Sequence, residues 1–339
     1  MELLTHALTS LAFARTIENR LPRFGTAMIV VAGVAPDLDY ASYFGGAAFF
    51  LRVHRTLLHS IFGGAILTCA IAAAFCYLDR KRPPKKSAPP LRFGPALAAC
   101  ALGFLSHLLL DFASGEGIQA LWVFHGGWQA WDLLADFDPW ILLLLLAGLL
   151  LPPLFKLVSE EIGDRRKTAG AQRGAVVALV LVFLFIGARA WLHSRAMELL
   201  LSNEYHRRAP LTAGAFPHST SPFEWRGVVS TENTIEEIQI SLAPGAPFDP
   251  DRSLSHFKPE PSPALDAGQR TRAASLFLSY ARFPLARTDH REDAYRFVLR
   301  DARFLEHDPS PANVWVFVDF DSSLQIRREH LAFGGQNIR

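Results

Sequence analysis

The sequence predicts a mainly α polytopic membrane helical bundle of about six apolar helices, followed by a small β-rich α+β soluble domain. Three observations carry that expectation. Half of the 339 residues are apolar and the mean hydropathy is positive, high for a soluble chain and low for one embedded throughout. The apolar residues gather before residue 200, in runs separated by clumped lysine and arginine. Beyond about residue 203 the composition turns to Pro-rich turns, dispersed charge and alternating stretches, the pattern of short strands. The expected division is a membrane-embedded domain over 1–200 and an extracytoplasmic α+β domain over 203–339.

Six apolar segments can be read, at about 3–19, 26–40, 57–78, 93–112, 139–158 and 174–193. The sixth is the clearest, since roughly 20 apolar residues span a bilayer. The third and fourth carry small residues (Gly63, Gly64, Ala98, Ala99, Gly103) that permit close helix packing. The fifth opens on Asp138 as a candidate N-cap and Pro139 at the first helical position. Pro152 and Pro153 then predict a kink or an early exit. The first two are shorter and more polar, which suits spanning, re-entrant or interfacial placement.

Alanine, phenylalanine and alanine at 12–14 resemble a signal-peptidase site, but Glu2 replaces a basic n-region and His6 interrupts the apolar core. A cleaved signal peptide is therefore not expected. Cys69, Cys76 and Cys100 sit inside apolar runs with no C-x-x-C pair, which argues for buried hydrophobes rather than disulfides or a thiolate site. Strands are expected at Phe223–Ser230, Thr234–Leu242 and Asn313–Phe320, and a helix within 258–282. Nothing in composition predicts nucleic-acid binding.

Charge then orients the segments. Arg15, Arg20 and Arg23 separate the first two segments. Arg80, Lys81, Arg82, Lys85, Lys86 and Arg92 separate the third and fourth, and Lys156, Arg165, Arg166, Lys167 and Arg173 the fifth and sixth. The alternate connections, 40–56 and 113–138, hold only Arg52 and Arg55. The positive-inside rule puts the basic connections in the cytoplasm and both termini outside it. Alternation then brings His6, Asp37, Asp39, His54, His59, His107, Asp111 and Asp138 to one outer face.

Those residues are the ones that bind divalent ions, and ionisable groups at a membrane boundary are costly to keep there. His107 and Asp111, at i and i+4, share a helix face; ligation and a simple hydrogen-bonded pair both fit. Asp37 and Asp39 suit a turning segment where both carboxylates reach an ion, or a solvated helix end. His54 and His59 converge only if His54 lies in a loop and Thr56 caps the next helix. Arg55 between them can clamp a phosphate or snorkel at the interface. Ser60 suits a cap or a contact that orients a neighbouring ligand, Asp138 a cap, a ligand or a carboxylate behind the ligands, His125 an extra ligand and Glu116 a general base by type alone. Together the set exceeds one ion's needs and points to one or two divalent ions, zinc first, with manganese or iron as alternatives.

The run His6, Pro36-Asp37-Leu38-Asp39, His54-Arg55, His59-Ser60, then Gly103 through Ser106-His107 to Asp111, with Leu121-Trp122 following, resembles the YdjM-like bacterial inner-membrane family. Longer members share an aspartate–proline pair, matched by Asp138-Pro139, and a C-terminal extension that opens like Pro222-Phe223-Glu224-Trp225. The likeness covers the first 140 residues well and the remainder loosely. Tyr40 stands where many relatives carry histidine, and Thr56-Leu57-Leu58 departs from the usual glycine-containing turn; neither change removes a proposed ligand. The HxxxD element is distantly similar to zinc-dependent phospholipase C. The resemblance implies a multi-pass protein of the bacterial inner membrane and a metal-dependent hydrolase, with a phosphoesterase or phospholipase-like reaction on a membrane lipid or lipid-linked substrate. In that expectation His6, Asp37, Asp39, His54, His59, His107 and Asp111 are ligands, a hydroxide generated at the metal is the nucleophile, and Arg55 and Asp39 take catalytic roles. The alternatives are an ion- or proton-coupled transporter and a non-enzymatic scaffold with a structural metal. Oligomeric state is not legible.

Overall fold

The computed structural model describes residues 1–81, 90–124, 126–161, 170–291, 294–304 and 313–333. His125 lies outside them, as do Arg82, Lys85, Lys86, Arg165, Arg166 and Lys167 of the basic connections. The chain divides into two compact units: 1–39 with 55–191, and 40–54 with 192–339.

In the first unit, α1 (Leu3–Thr16) and α2 (Gly25–Val34) precede a 3-10 run over Ala35–Gly45, whose first residues close this part of the chain. α4 (Ile61–Lys81) and α5 (Phe93–Ala113) follow, after a short α3 (Ala47–Val53) that belongs to the other unit. α6 (Pro139–Glu161) and α7 (Gly170–Ser202) complete the helical part. Three of these, α4, α5 and α7, are long and apolar enough to cross a membrane. Of the other expected segments, α1 has 14 residues and α2 has 10, while α6 offers a shorter apolar helix, Pro139–Phe155, among the described residues. At 1.5 Å per residue, helices the length of α1 and α2 cover about half to two-thirds of a hydrocarbon core or less.

Small residues set the packing. Ala14, Met28, Ile29, Ala32, Ala72, Ala96, Ala99 and Cys100 form one core, shared by α1, α2, α4 and α5. A Cβ at Gly103 of α5 would overlap the Ile29 carbonyl of α2, and one at Gly33 would overlap the Ser10 hydroxyl of α1. These glycines let three backbones approach at one level. All three cysteines are free, and Cys100 is buried.

α6 runs on through Pro152 and Pro153, so the early exit, one of the two expected outcomes, does not occur. Proline at 152 deprives the Gly148 carbonyl of its helical donor. That carbonyl faces Gly174 of α7, where a Cβ would overlap both it and the Pro152 ring. A Cα–H contact is available to the orphaned oxygen there.

The basic connections meet at one end of the unit. Arg23 pairs with Asp79 at 2.5 Å, the Leu91 amide donates to the same carboxylate, and Gln172 donates to the Thr16 carbonyl. At the opposite end, the Glu2 amide donates to the Asp136 carbonyl and the Ile61 amide to Ala120.

The second unit holds two four-stranded antiparallel meanders. The first is β1 (Thr212–Pro217), β2 (Glu224–Ser230), β3 (Thr234–Ser241) and β4 (Leu254–Phe257). After α8 (Pro263–Gln269) and α9 (Arg272–Leu278) comes the second: β5 (Pro284–Arg291), β6 (Ala294–Asp301), β7 (Val314–Asp321) and β8 (Ile326–Phe333). β2, β3 and β7 lie where alternation placed strands. The last turns of α7, through Leu192, Ala196 and Leu200, pack on Trp225, Val229, Ile238 and Ile240. Gly227 is what admits Leu200 so close to β2. α3 joins this unit, with Tyr43 stacked on Phe333 at 4.3 Å.

Candidate metal centre

The site is built where α1, α2 and α5 come closest. His107 and Asp111 project from one face of α5, as i, i+4 spacing requires, with His107 Nε2 at 3.2 Å from Asp111 Oδ2. His6 of α1 stacks on His107, ring centroids 3.8 Å apart, and its Nε2 lies 3.2 Å from Asp111 Oδ1. Asp37, on the 3-10 run after α2, brings Oδ1 to 3.8 Å from His107 Nε2. One ligand atom from each of His6, Asp37, His107 and Asp111 lies within 4.8 Å of the other three, and all four residues are buried.

His59 completes the group. Its Nε2 is 3.1 Å from His107 Nε2, 3.1 Å from Asp111 Oδ2 and 3.7 Å from Asp37 Oδ1. Its other nitrogen, Nδ1, is 3.1 Å from Asp39 Oδ2. His107 Nδ1 is likewise committed, 2.8 Å from the Gly33 carbonyl oxygen, which can only accept. With His107 Nδ1 committed to the Gly33 carbonyl and His59 Nδ1 on the Asp39 side of its ring, the two Nε2 atoms face each other. That is how ligating histidines are held, and two facing lone pairs repel unless a cation sits between them.

The donor set therefore fits a divalent ion: three imidazole nitrogens and two carboxylates, with no sulfur, suit zinc, manganese or iron. Without the ion, burial disfavours a charged His59, but contacts with Asp111, Asp37 and Asp39 outweigh it and push its pKa up to about 10. The carboxylates thus demand positive charge even if only a proton supplies it. The α-amino group of Met1 is also 2.5 Å from Asp111 Oδ1.

Arg55 has a place the sequence did not disclose. It is 2% exposed and takes a left-handed φ of 56°. Its backbone N–H donates to Asp39 Oδ2, and its guanidinium reaches Asp111 Oδ1 at 3.5 Å, Glu116 Oε2 at 3.0 Å, Ser114 Oγ at 3.0 Å and the Gly117 carbonyl. Behind Glu116 stands Asp136, whose pKa burial and the Glu116 charge push up to about 7. Asp136 is thus only partly ionised at neutral pH. The three aspartates of 132–138 were the available signal for Asp136.

Two further sequence expectations, those for Thr56 and His54, resolve differently, and the N-cap expected at Asp138 holds. Thr56 does not open a helix; α4 starts at Ile61, and Ser60 Oγ accepts from the Gly63 amide at 3.0 Å. Leu57–Ser60 folds back over Gly63, where any Cβ would overlap the Leu57 carbonyl. His54 caps the end of α3 and belongs to the second unit, its ring 4.4 Å from those of Phe50 and Tyr40. Asp138 is an N-cap, with Oδ1 accepting from the Trp140 and Ile141 amides.

The profile of the YdjM inner membrane proteins matches residues 1–196, more than half of the chain. The chain belongs to that family. Every residue of the cluster lies inside the matched stretch, and the second unit's two sheets lie beyond it. Together with three helices able to cross a bilayer, membership makes this YdjM-family chain an integral protein of the inner membrane. No curated protein and no solved structure matches it, so the likeness to phospholipase C rests on the HxxxD element alone.

Proposed function

We propose that the chain is a membrane-embedded metal-dependent hydrolase acting on phosphoester bonds of a lipid or lipid-linked substrate. The observation that carries this reading is the convergence of His6, Asp37, His107 and Asp111, with His59 oriented into the same group. In this reading His6, Asp37, His59, His107 and Asp111 hold one or two ions. Asp39 backs His59, and His54, shelved against Phe50 and Tyr40, takes no part. An ion held there supplies Lewis acidity, activating water and neutralising phosphoryl oxygens. Arg55 is a positioning residue: it fixes Asp111 and contributes permanent positive charge where negative charge develops. The basic connections face the cytoplasm, and the cluster and the C-terminal domain face the other side.

Burial favours one competing reading, a structural ion, because His6, His59 and His107 are all closed to solvent and structural sites are closed where catalytic ones keep an open position. Two measurements decide. Metal analysis of detergent-purified protein should find a divalent ion that His107→Ala loses. Wild type should then release phosphate or a phosphorylated headgroup from lipid phosphoesters in mixed micelles, and Asp37→Ala should not. Tightly held metal without turnover on any phosphoester, lipid or soluble, would leave the structural ion standing and end the hydrolase proposal.

A further inference from the structure

Between α5 and α6 the chain builds a lobe, residues 117–131, that contains no Asp, Glu, Lys or Arg. Its described residues are tied together by hydrogen bonds. Ile118 and Gln129 exchange backbone hydrogen bonds at 2.9 Å in both directions, and the Gln129 side chain accepts from the Ala120 amide while donating to the Gly127 carbonyl. The tip winds through a tight turn, with the Trp122 amide donating to Gln119 and the Phe124 amide to Leu121. Despite these bonds, the tip turns its largest apolar side chains outward: Leu121, Trp122 and Val123 are exposed, and Phe124 is 82% exposed.

The lobe's position says what covers it. The Ile61 amide donates to the Ala120 carbonyl, so the lobe leans on the first turn of α4, a helix able to cross the bilayer. Ile61, Phe62 and Ile66 on α4 are exposed too, so the lobe extends a surface already suited to lipid. Tryptophan beside uncharged apolar residues is the composition of a membrane interface. The lobe is also tied to the site, because the Gln119 amide donates to the Arg55 carbonyl at 3.0 Å.

We infer that Leu121–Phe124 is a wedge seated in the acyl-chain boundary of the leaflet at the cluster's end of the bundle, so that a phosphoester reaching Arg55 and the metal residues arrives from the bilayer. The wedge deepens the proposed function and rests on it only for the substrate's route; the insertion is a physical property that holds or fails without turnover.

The test uses the full chain in phosphatidylethanolamine/phosphatidylglycerol nanodiscs, with Cys69, Cys76 and Cys100 replaced by alanine and a nitroxide attached through Phe124→Cys. Collision with oxygen, which concentrates in lipid, is compared with collision with a water-soluble nickel chelate. Leu184→Cys on α7 and Asp251→Cys on the second unit, both exposed, give the lipid and water standards. Position 124 should match the lipid standard, with oxygen favoured several-fold. Nickel favoured would place the lobe in water and overturn the proposal; shielding from both reagents would mean a protein contact and overturn it equally. Val123→Cys repeats the reading if the first variant fails to fold. Because neither metal nor substrate enters the measurement, its failure is distinct from failure of the hydrolase reading.

Discussion

Both units bury carboxylates, and they treat them in opposite ways. In the second unit Glu236 is fully buried on β3, and its Oε2 accepts from Ser253 Oγ at 2.8 Å and Ser255 Oγ at 2.7 Å. Hydroxyls rotate to donate, so Oε2 is answered by hydrogen bonds, with His206 Nε2 3.9 Å away, and no second carboxylate or facing imidazole pair converges there. In the first unit Asp37 and Asp111 meet three imidazoles, two of which, His59 and His107, are turned nitrogen to nitrogen. No hydroxyl is there to rotate, and positive charge, from a proton or a metal ion, is what satisfies the arrangement. The contrast separates a buried charge answered by its own fold from a cluster that could hold an ion.

The largest expected effect breaks the contrast if it is wrong. Asp111→Ala and His107→Ala should each remove bound metal almost completely in elemental analysis. Glu236→Ala should leave metal content unchanged while lowering stability by about 1–3 kcal/mol, the cost of stranding buried partners. Equal metal loss in all three would erase the distinction. Asp39→Asn tests the layer behind the ligands: a weakened orienting partner should cost about 10- to 100-fold in metal affinity by competition with a chelator, with full loading still reached at saturation.

The cluster's outline was legible because its spacing is local. His107 and Asp111 share a face by helix geometry, and Asp37 and Asp39 follow an apolar run. What supports them was not. The acceptor for His107 is the Gly33 main chain, and a carbonyl has no letter of its own. That His54 belongs with the second unit depended on α3, seven residues that pack with α9 and β8, a long-range pairing no spacing rule contains. Fold class was read from composition and alternation, yet the lengths of α1 and α2 were overestimated because polar residues at their ends were counted into apolar runs.

Gly103→Ala sharpens the role of that hidden layer. A methyl group there presses on the Ile29 carbonyl and the Gly33 amide, so stability should fall by about 1–3 kcal/mol and metal affinity with it. A melting shift without loss of affinity would show that ligand orientation is independent of the α2–α5 contact. Asp136→Asn should act only through pH. The native group, at about 7, holds a proton that the unfolded chain releases near 4. Its contribution is full below that value and is lost as pH rises through about 7. The variant's melting temperature should therefore be flatter between pH 4 and 7 and exceed wild type above it. The smallest change is Ser60→Ala, which removes the N-cap of α4 for about 1 kcal/mol and should leave metal content alone.

Arg55 ends in a conflict that the sequence has already decided. A left-handed backbone costs an ordinary L-residue about 1–2 kcal/mol, which glycine would avoid. Arg55→Gly would relax the main chain and at the same time abandon Glu116 and Asp111 without their guanidinium. The backbone at position 55 asks for the smallest residue and holds one of the largest, a local frustration that the site imposes on the fold.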